Sequence, residues 1–419
     1  MAFKKILFVI LDGLGDRPIK NLEGKTPLEA ARTPNMDFFA QNGICGVQNA
    51  LPKGVYPTSE ECHLALFGYH YIKDYPGRGV LEALGLGIKL NPGDLALRVD
   101  FGTVDEDLRV VDPRAGNISR TIEFSEAIGT REVDGFNFEI YSGLAHRGVL
   151  IISGKDLSEN VHAHSSMVSD TDPHKDGPHK KDAKVLHPQP LDSSQASVKT
   201  AKALWKYQLE VNKYLNTLPL NEERIKKGLL PVNFLLTRGS GTFFKVPSYK
   251  EKYGLRAAAV AGAPLYIGIA RYLGMDFIKV NGANGLSSSN YKSKVVAAKK
   301  ALKNHDFVYL HFKAVDTCAE ERGDYMEKKI LIEKIDRELK AFRKLKNTLI
   351  FISGDHTTAC ELQDHAEDPV PFLIYDGKNR DSICEFGETG CRFGALKHLR
   401  GREIFKTVLK KSGRITTHV

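Results

Sequence analysis

With 419 residues, the chain is long enough for two or three compact units with buried cores, which excludes a peptide or a disulfide-stapled mini-protein. Apolar residues at 42% and charged residues at 26% exclude wholesale disorder and fibrous repeats. The net charge of +9 is too small and too dispersed for a nucleic-acid track and leaves only a modest attraction for small anions. Six cysteines make no CxxC pair, so reduced thiols in a cytoplasm fit best. The run Ile6 to Leu11 is too short for a signal peptide, and Ala257 to Ala270, broken by Gly262, Pro264 and Gly268, falls short of a membrane helix. The expectation is a soluble cytoplasmic protein without membrane or nucleic-acid partners.

In chain order, Ile6 to Leu11 reads as a strand that meets Asp12 at its end. Pro34 to Gln41 reads as a helix capped by Thr33, and the stretch after Pro57, with Glu60-Glu61 before Leu64, as another helix start. Val149 to Ser153 is a strand. Asp156 to Leu191 is polar and carries His162, His164, His174, His179 and His187, followed by a helical stretch near Ala196 to Leu218. The strand Asn233 to Leu236 leads into Arg238-Gly-Ser-Gly. Helical patterns at Ala263 to Leu273, Tyr291 to Lys303 and Lys328 to Leu345 then alternate with strands Phe307 to Phe312, Thr348 to Ser353 and Pro369 to Tyr375. Such alternation predicts an α/β fold, a mostly parallel sheet with helices on both faces. The change of texture in the middle predicts a smaller inserted α+β domain, residues 85–245, interrupting a sheet domain made of 1–84 and 246–419.

Three of these strands run into an acid, namely Asp12, Asp316 and Asp355, and in open α/β sheets the loops beyond the carboxyl ends of strands converge on ligands. Asp355 and His356 are adjacent in a loop, where both can reach one cation, and His365 follows nine residues later; a turn with a helix cap is the plainer alternative. Glu320 lies one helical turn beyond Asp316, as a solvated helix start would also place it. Ser59 sits where a helix begins, so its hydroxyl is a candidate nucleophile at a phosphate-favouring terminus, although an N-cap serine is the commoner use. Arg78 and Arg238 lie in glycine-flanked loops that offer bidentate donors for phosphate. There is no GxxxxGK[ST] loop, no strand-linked GxGxxG and no GxSxG elbow.

Together these segments resemble the archaeal-type cofactor-independent phosphoglycerate mutases of the alkaline phosphatase superfamily. The likeness is carried in order by LDGLGDRP, GKTPLEAARTPNMD at 24–37, TSEECHLALFGY at 58–69, GRGVLEALGLGI at 77–88 and SDTDPHK at 169–175, then RGSG at 238–241, KAVD at 313–316, GDHTT at 354–358 and HAEDPVPFLIY at 365–375. The resemblance implies an alkaline-phosphatase-like domain holding two divalent ions, with an inserted substrate-binding domain that closes over the cleft. Asp12, Ser59, Asp355 and His356 would hold one ion, Asp316 and His365 the other, and Ser59 would be the phosphorylated nucleophile. His63, His146, Arg147, Asp170, Arg238 and Lys313 would contact the substrate or brace the metal ligands, and Arg78 would bind the substrate. This chain departs from the family pattern at Glu320, which stands where the family carries a histidine ligand, and at Glu60, where an Asp is commoner. An oxygen ligand at 320 favours Mn or Mg, with Zn and Co as alternatives.

The activity so implied is interconversion of 3- and 2-phosphoglycerate through a phosphoserine, without 2,3-bisphosphoglycerate. The alternatives are a metal-dependent phosphohydrolase or phosphotransferase on another small phosphorylated metabolite, and a catalytically impaired relative. The oligomeric state is left open.

Overall fold

The computed structural model describes residues 5–162 and 184–414. It divides into two compact units, Met1–Tyr75 with Val246–Val419, and Pro76–Lys245. The helix Arg78–Leu86, expected in the first unit, therefore falls in the second. Its Val80 and Ala83 pack on Ala96, Val149 and Ile151, and Gly79 approaches so closely that an added Cβ would lie 2.3 Å from the Ala96 carbonyl oxygen.

The first unit is built on eight strands in the order Asp276–Phe277, Ala257–Val260, Phe307–Phe312, Lys5–Leu11, Thr348–Ser353, Val370–Tyr375, Ile44–Asn49 and Lys397–Arg400. Only Val370–Tyr375 runs against its neighbours. The central strands KILFVIL, FVYLHF and TLIFIS are near-continuous apolar runs because both faces are covered. On one face Leu7, Val9, Leu11, Val308, Leu310, Ile350 and Ile352 meet Val295, Leu331, Ile335 and Leu339 of the helices Tyr291–Ala301 and Tyr325–Leu339. The other face carries an aromatic array in which Phe8 stacks on Phe351 at 4.2 Å and contacts Phe67, Phe307 and Phe405. This mixed, largely parallel sheet between helices matches the expected class.

The helix Pro34–Gln41 has the expected bounds but not the expected cap, and a second helix starts earlier than expected. Thr33 makes no side-chain cap on Pro34–Gln41; the backbone N–H groups of Asn35 and Met36 donate instead to the Asp336 carboxylate at 3.1 and 2.7 Å. A cap supplied across about three hundred residues has no local signature. The helix expected from Lys328 begins at Tyr325, because the Asp324 side chain accepts the Glu327 N–H at 2.8 Å, and it ends in a 3-10 turn, Lys340–Phe342.

The second unit is an antiparallel sheet in the order Phe234–Thr242, Leu95–Val104, Arg147–Ser153, Phe136–Ser142 and Thr130–Val133, with Val110–Asp112 paired beside Leu95–Val104. Alternation along Leu95–Val104 sends Leu95, Leu97, Val99 and Phe101 into a core with Ala203, Leu204, Tyr207 and Val211 of the long helix Gln195–Asn216. Ala96, Arg98 and Asp100 consequently share the opposite face. Of the polar segment's histidines, His187 packs its ring 4.7 Å from Trp205, and His164, His174 and His179 lie outside the described residues. No helix among the described residues is long and apolar enough to cross a membrane.

Candidate metal centre and a buried arginine cluster

The three strand-end acids gather because their strands are neighbours. Lys5–Leu11 pairs in parallel with Phe307–Phe312 on one side and Thr348–Ser353 on the other, with Leu11 opposite Phe312 and Ile10 opposite Ser353. Asp12, Asp316 and Asp355 therefore leave the sheet at one edge, and all three are buried. The hairpin Thr357–Ala359 with Asp364–Ala366 then sets Thr358 opposite His365 and returns that imidazole to the same place. The His356 and His365 rings stack at 3.8 Å.

Two groups of ligand-type atoms result, Asp12 with Asp355 and His356, and Asp316 with His356 and His365; within each the atoms lie within 4.8 Å of one another. His356 belongs to both, rather than to the first alone. Its Nε2 stands 3.5 Å from Asp12 Oδ1, 3.3 Å from Asp355 Oδ2 and 3.1 Å from Ser59 Oγ. Glu320 enters neither group, although it lies on the helix Ala314–Arg322 one turn beyond Asp316 and its charge acts on His365.

Ser59 is not the helix cap. Thr58 caps Ser59–Leu66 by accepting the Glu61 N–H at 3.4 Å, which leaves Ser59 at the first helical position with its hydroxyl directed to His356. A serine released from capping, at the positive end of a helix dipole, is placed for a phosphoryl group.

His63, expected either at the substrate or behind the metal ligands, is fully buried and lies behind them: its Nδ1 faces the Ser59 carbonyl oxygen at 2.7 Å and Asp355 Oδ2 at 3.3 Å. It is enclosed by Phe67, Tyr266, Tyr309 and His311, which explains why it presents nothing to a ligand. Lys313 ion-pairs with Asp316 and lies 3.6 Å from Asp12 Oδ2. A cavity of about 300 Å³ is lined by Cys62, Asp355, His356, Glu367, His398 and Arg400 among others.

The electrostatics are those of crowded acids. Burial, and next the Asp355 carboxylate, push Asp12 well above the ordinary carboxylate range. Burial also opposes ionisation of Asp316, but Lys313 and then His365 bring it well below. At Asp355 the His356 and His63 imidazoles outweigh burial in the same sense. Burial lowers His356 to about 4, so it is neutral near pH 7, the form in which imidazole binds a metal. The orphaned atoms fit a divalent ion: Asp12 Oδ1, Asp355 Oδ2 and His365 Nε2 are buried and make no hydrogen bond. Oxygen and imidazole donors converging in this way suit Mn, Mg or Zn.

The second unit holds a cluster of the opposite sign. Arg98 stands opposite Arg238 on one neighbouring strand, and Asp100 opposite Arg147 on the other. Arg78 Nε donates to Glu82 Oε1 at 3.0 Å, and Arg98 reaches the same oxygen at 3.8 Å. Asp100 is 3.5 Å from both Arg98 and Arg238 and 3.6 Å from His146 Nε2. Four guanidiniums thus share two carboxylates. Burial, and next the Arg98 charge, lower Arg238 to about 9, Arg98 and then burial lower Arg147 to about 10, and burial lowers His146 to about 4. The Nε atoms of Arg98, Arg147 and Arg238 are buried without a hydrogen bond. Arg98, Asp100 and Glu82 were not anticipated from the sequence, where the signal was a charged pair interrupting an alternating strand. Asp170 lies outside the described residues.

Residues 4–411 match the model of the metalloenzyme superfamily. The chain is 41% identical over 416 residues to 2,3-bisphosphoglycerate-independent phosphoglycerate mutase 1 of Methanocaldococcus jannaschii, covering 98% of each chain. The chain belongs to that mutase family. The corresponding protein of Sulfurisphaera tokodaii is 39% identical over 419 residues, again across 98% of both. Among solved structures, the PH0037 protein from Pyrococcus horikoshii superposes with a TM-score of 0.84 at 32% identity, covering 100% of both chains. The cofactor-independent phosphoglycerate mutase from Thermoplasma acidophilum superposes with a TM-score of 0.68 at 33% identity, covering 98% of this chain and 100% of that one. Membership makes the protein a metal-dependent isomerase of the phosphoglycerate mutase type, the activity implied by the sequence motifs.

Proposed function

We infer that the protein interconverts 3-phosphoglycerate and 2-phosphoglycerate by way of a phosphate carried on Ser59, independently of 2,3-bisphosphoglycerate. The observation that carries this is the Ser59 hydroxyl, uncommitted to its helix and 3.1 Å from His356 among buried ligand atoms that lack partners. Asp12, Ser59, Asp355 and His356 would hold one divalent ion, and Asp316 and His365 the other, with Glu320 one helical turn beyond Asp316 but in neither group of ligand atoms. Such ions, Mn or Mg given the oxygen-rich set, favour ionisation of a nearby hydroxyl and offset charge on phosphoryl oxygens.

The chain's own residues account for the rest. Ser59 Oγ gives up its proton and forms a bond to phosphorus as the bond from phosphorus to the substrate oxygen breaks, and the released glycerate oxygen takes up one proton in exchange. Reversal at the other hydroxyl returns the phosphate and frees Ser59. The start of the helix Ser59–Leu66 and Lys313 receive the phosphoryl charge. Arg98, Arg147 and Arg238 in the inserted unit, with Arg78 nearby, gather guanidiniums whose bidentate donors suit a ligand bearing carboxylate and phosphate. His146, neutral near pH 7 and 3.6 Å from Asp100 Oδ1, stands beside the same cluster. This assigns the inserted unit to substrate binding and the protein to glycolysis and gluconeogenesis in the cytoplasm.

The test is enolase-coupled formation of 2-phosphoglycerate from 3-phosphoglycerate by the manganese-loaded protein, with no bisphosphoglycerate added. Activity abolished by chelation and by Ser59→Ala, with phosphate found on Ser59 by mass spectrometry, is the expected result. Release of inorganic phosphate without 2-phosphoglycerate would make the protein a phosphohydrolase instead.

A further inference from the structure

We propose that His311 is a positioning residue for the metal centre, fixing the Asp12 carboxylate so that one defined oxygen faces the ion. The inference rests on the metal reading given above but assigns a role to a side chain outside both ligand groups.

The strand Phe307–Phe312 shows why a histidine there is unusual. Val308, Leu310 and Phe312 enter the apolar core beneath the helices, while Phe307, Tyr309 and His311 face the aromatic array. His311 is the one polar ring that replaces an aromatic at the carboxyl end of that row, and it is completely buried. An imidazole in such surroundings is costly unless it has a specific partner. In the parallel register His311 lies opposite Ile10, so alternation brings it to the side chain two residues on, which is Asp12. The Asp12 N–H continues the ladder to the Phe312 carbonyl at 2.9 Å, which holds the two side chains in step.

The contact itself selects an oxygen. His311 Nε2 stands 3.1 Å from Asp12 Oδ2, the oxygen that Lys313 also approaches at 3.6 Å. Asp12 Oδ1 makes no hydrogen bond and lies 3.5 Å from His356 Nε2, on the ligand side. As a metal ligand Asp12 is ionised and can only accept, so Nε2 carries the proton and His311 Nδ1, which makes no hydrogen bond, is the bare nitrogen. Donation to Oδ2 stops the carboxylate from rotating and leaves Oδ1 as the ligand atom.

His311 is itself held from two directions. The Tyr266 ring of helix Pro264–Tyr272 stacks on it at 3.7 Å and 26°. From the other face of the strand, the ammonium of the buried Lys294 donates to the His311 carbonyl oxygen. Neither Tyr266 nor Lys294 belongs to a ligand group, and together they fix ring and backbone before any ion arrives.

The experiment titrates the full-length, metal-stripped protein with manganese and reads free Mn(II) by electron paramagnetic resonance, so no turnover is needed. His311→Leu removes the donor at similar volume and should weaken one site about ten- to a hundredfold. His311→Gln places an amide N–H near the former Nε2 and should stay within about threefold of wild type, whereas His311→Asn, too short to reach, should behave like the leucine variant. In turnover, kcat should fall in His311→Leu and Asn with KM for phosphoglycerate unchanged. Should the leucine variant fail to fold, the Gln and Asn pair carries the same contrast. Manganese binding of wild-type strength in His311→Asn, or equal weakness in Gln and Asn, overturns the proposal. Absence of 2-phosphoglycerate formation with this binding pattern intact would reject the mutase reading and leave the role of His311 standing.

Discussion

The two units concentrate charge in opposite senses. At the strand ends of the first, Asp12, Asp316 and Asp355 are buried beside the ammonium of Lys313; in the second, Arg78, Arg98 and Arg238 gather around Glu82 and Asp100, with Arg147 opposite Asp100 on the next strand. Both leave polar atoms without partners, carboxylate oxygens and an imidazole nitrogen in one and guanidinium Nε atoms in the other. A buried charge costs several kcal/mol per ion unless it is paired, so under the function proposed above a ligand of the opposite sign would stabilise each cluster. The contrast is the one the proposed function calls for, donors for cations in the first unit and for an anionic ligand in the second.

The largest expected effect breaks the first half of that contrast. Ser59→Ala should lower turnover at least about a thousandfold while leaving the melting temperature of the metal-free protein in place, as checked by coupled assay and calorimetry. In the second cluster, Asp100→Asn removes one of two compensating carboxylates. It should cost about 3–5 kcal/mol in urea unfolding, partly recovered by sulfate; a variant indifferent to sulfate would break the anion reading. Arg238→Leu should raise KM for phosphoglycerate about ten- to a hundredfold, the equivalent of one lost charge-assisted hydrogen bond, with kcat changed less.

A buried acid outside both clusters sharpens the comparison. Glu388 accepts from the Asp16 N–H at 3.2 Å and the Thr26 hydroxyl at 2.8 Å, and burial raises it to about 7. The folded state then holds a proton that the unfolded chain loses above about pH 4.5, so stability falls as pH rises from there to about 7. Glu388→Gln should flatten that slope and stabilise the protein at pH 8 by on the order of 1–3 kcal/mol, with no gain at pH 4. Smallest of all, Thr58→Ala should cost about 1 kcal/mol from the lost cap in thermal unfolding, and more in kcat than that loss implies, because Ser59 would be drawn into capping.

The carboxyl ends of the strands were legible because apolar runs bounded by an acid are a local pattern, and the largely parallel pairing follows from alternation with helices, whereas the strand order does not. His356 and His365 were legible for the same reason, lying beside or shortly after such an end. What the sequence concealed depends on register or distance. Whether Thr58 or Ser59 caps the helix is a difference of one residue, and it decides whether the hydroxyl is available. Arg98 and Asp100 look like surface residues of a half-exposed strand until the neighbouring strands bring Arg238 and Arg147 across from them. The Asp336 cap joins partners three hundred positions apart, which no window of sequence reveals.

The placement of Lys5–Leu11 between Phe307–Phe312 and Thr348–Ser353 has a consequence for biosynthesis. During translation the first strand emerges long before either neighbour exists, so the opening segment must wait for most of the polypeptide to leave the ribosome. Pro76–Lys245, by contrast, closes its sheet with strands no farther apart than its own length and is available to fold while the rest is still being made. The order of assembly is therefore the inverse of the order of the termini: the interruption organises first, and the sheet it interrupts closes around the amino-terminal strand last.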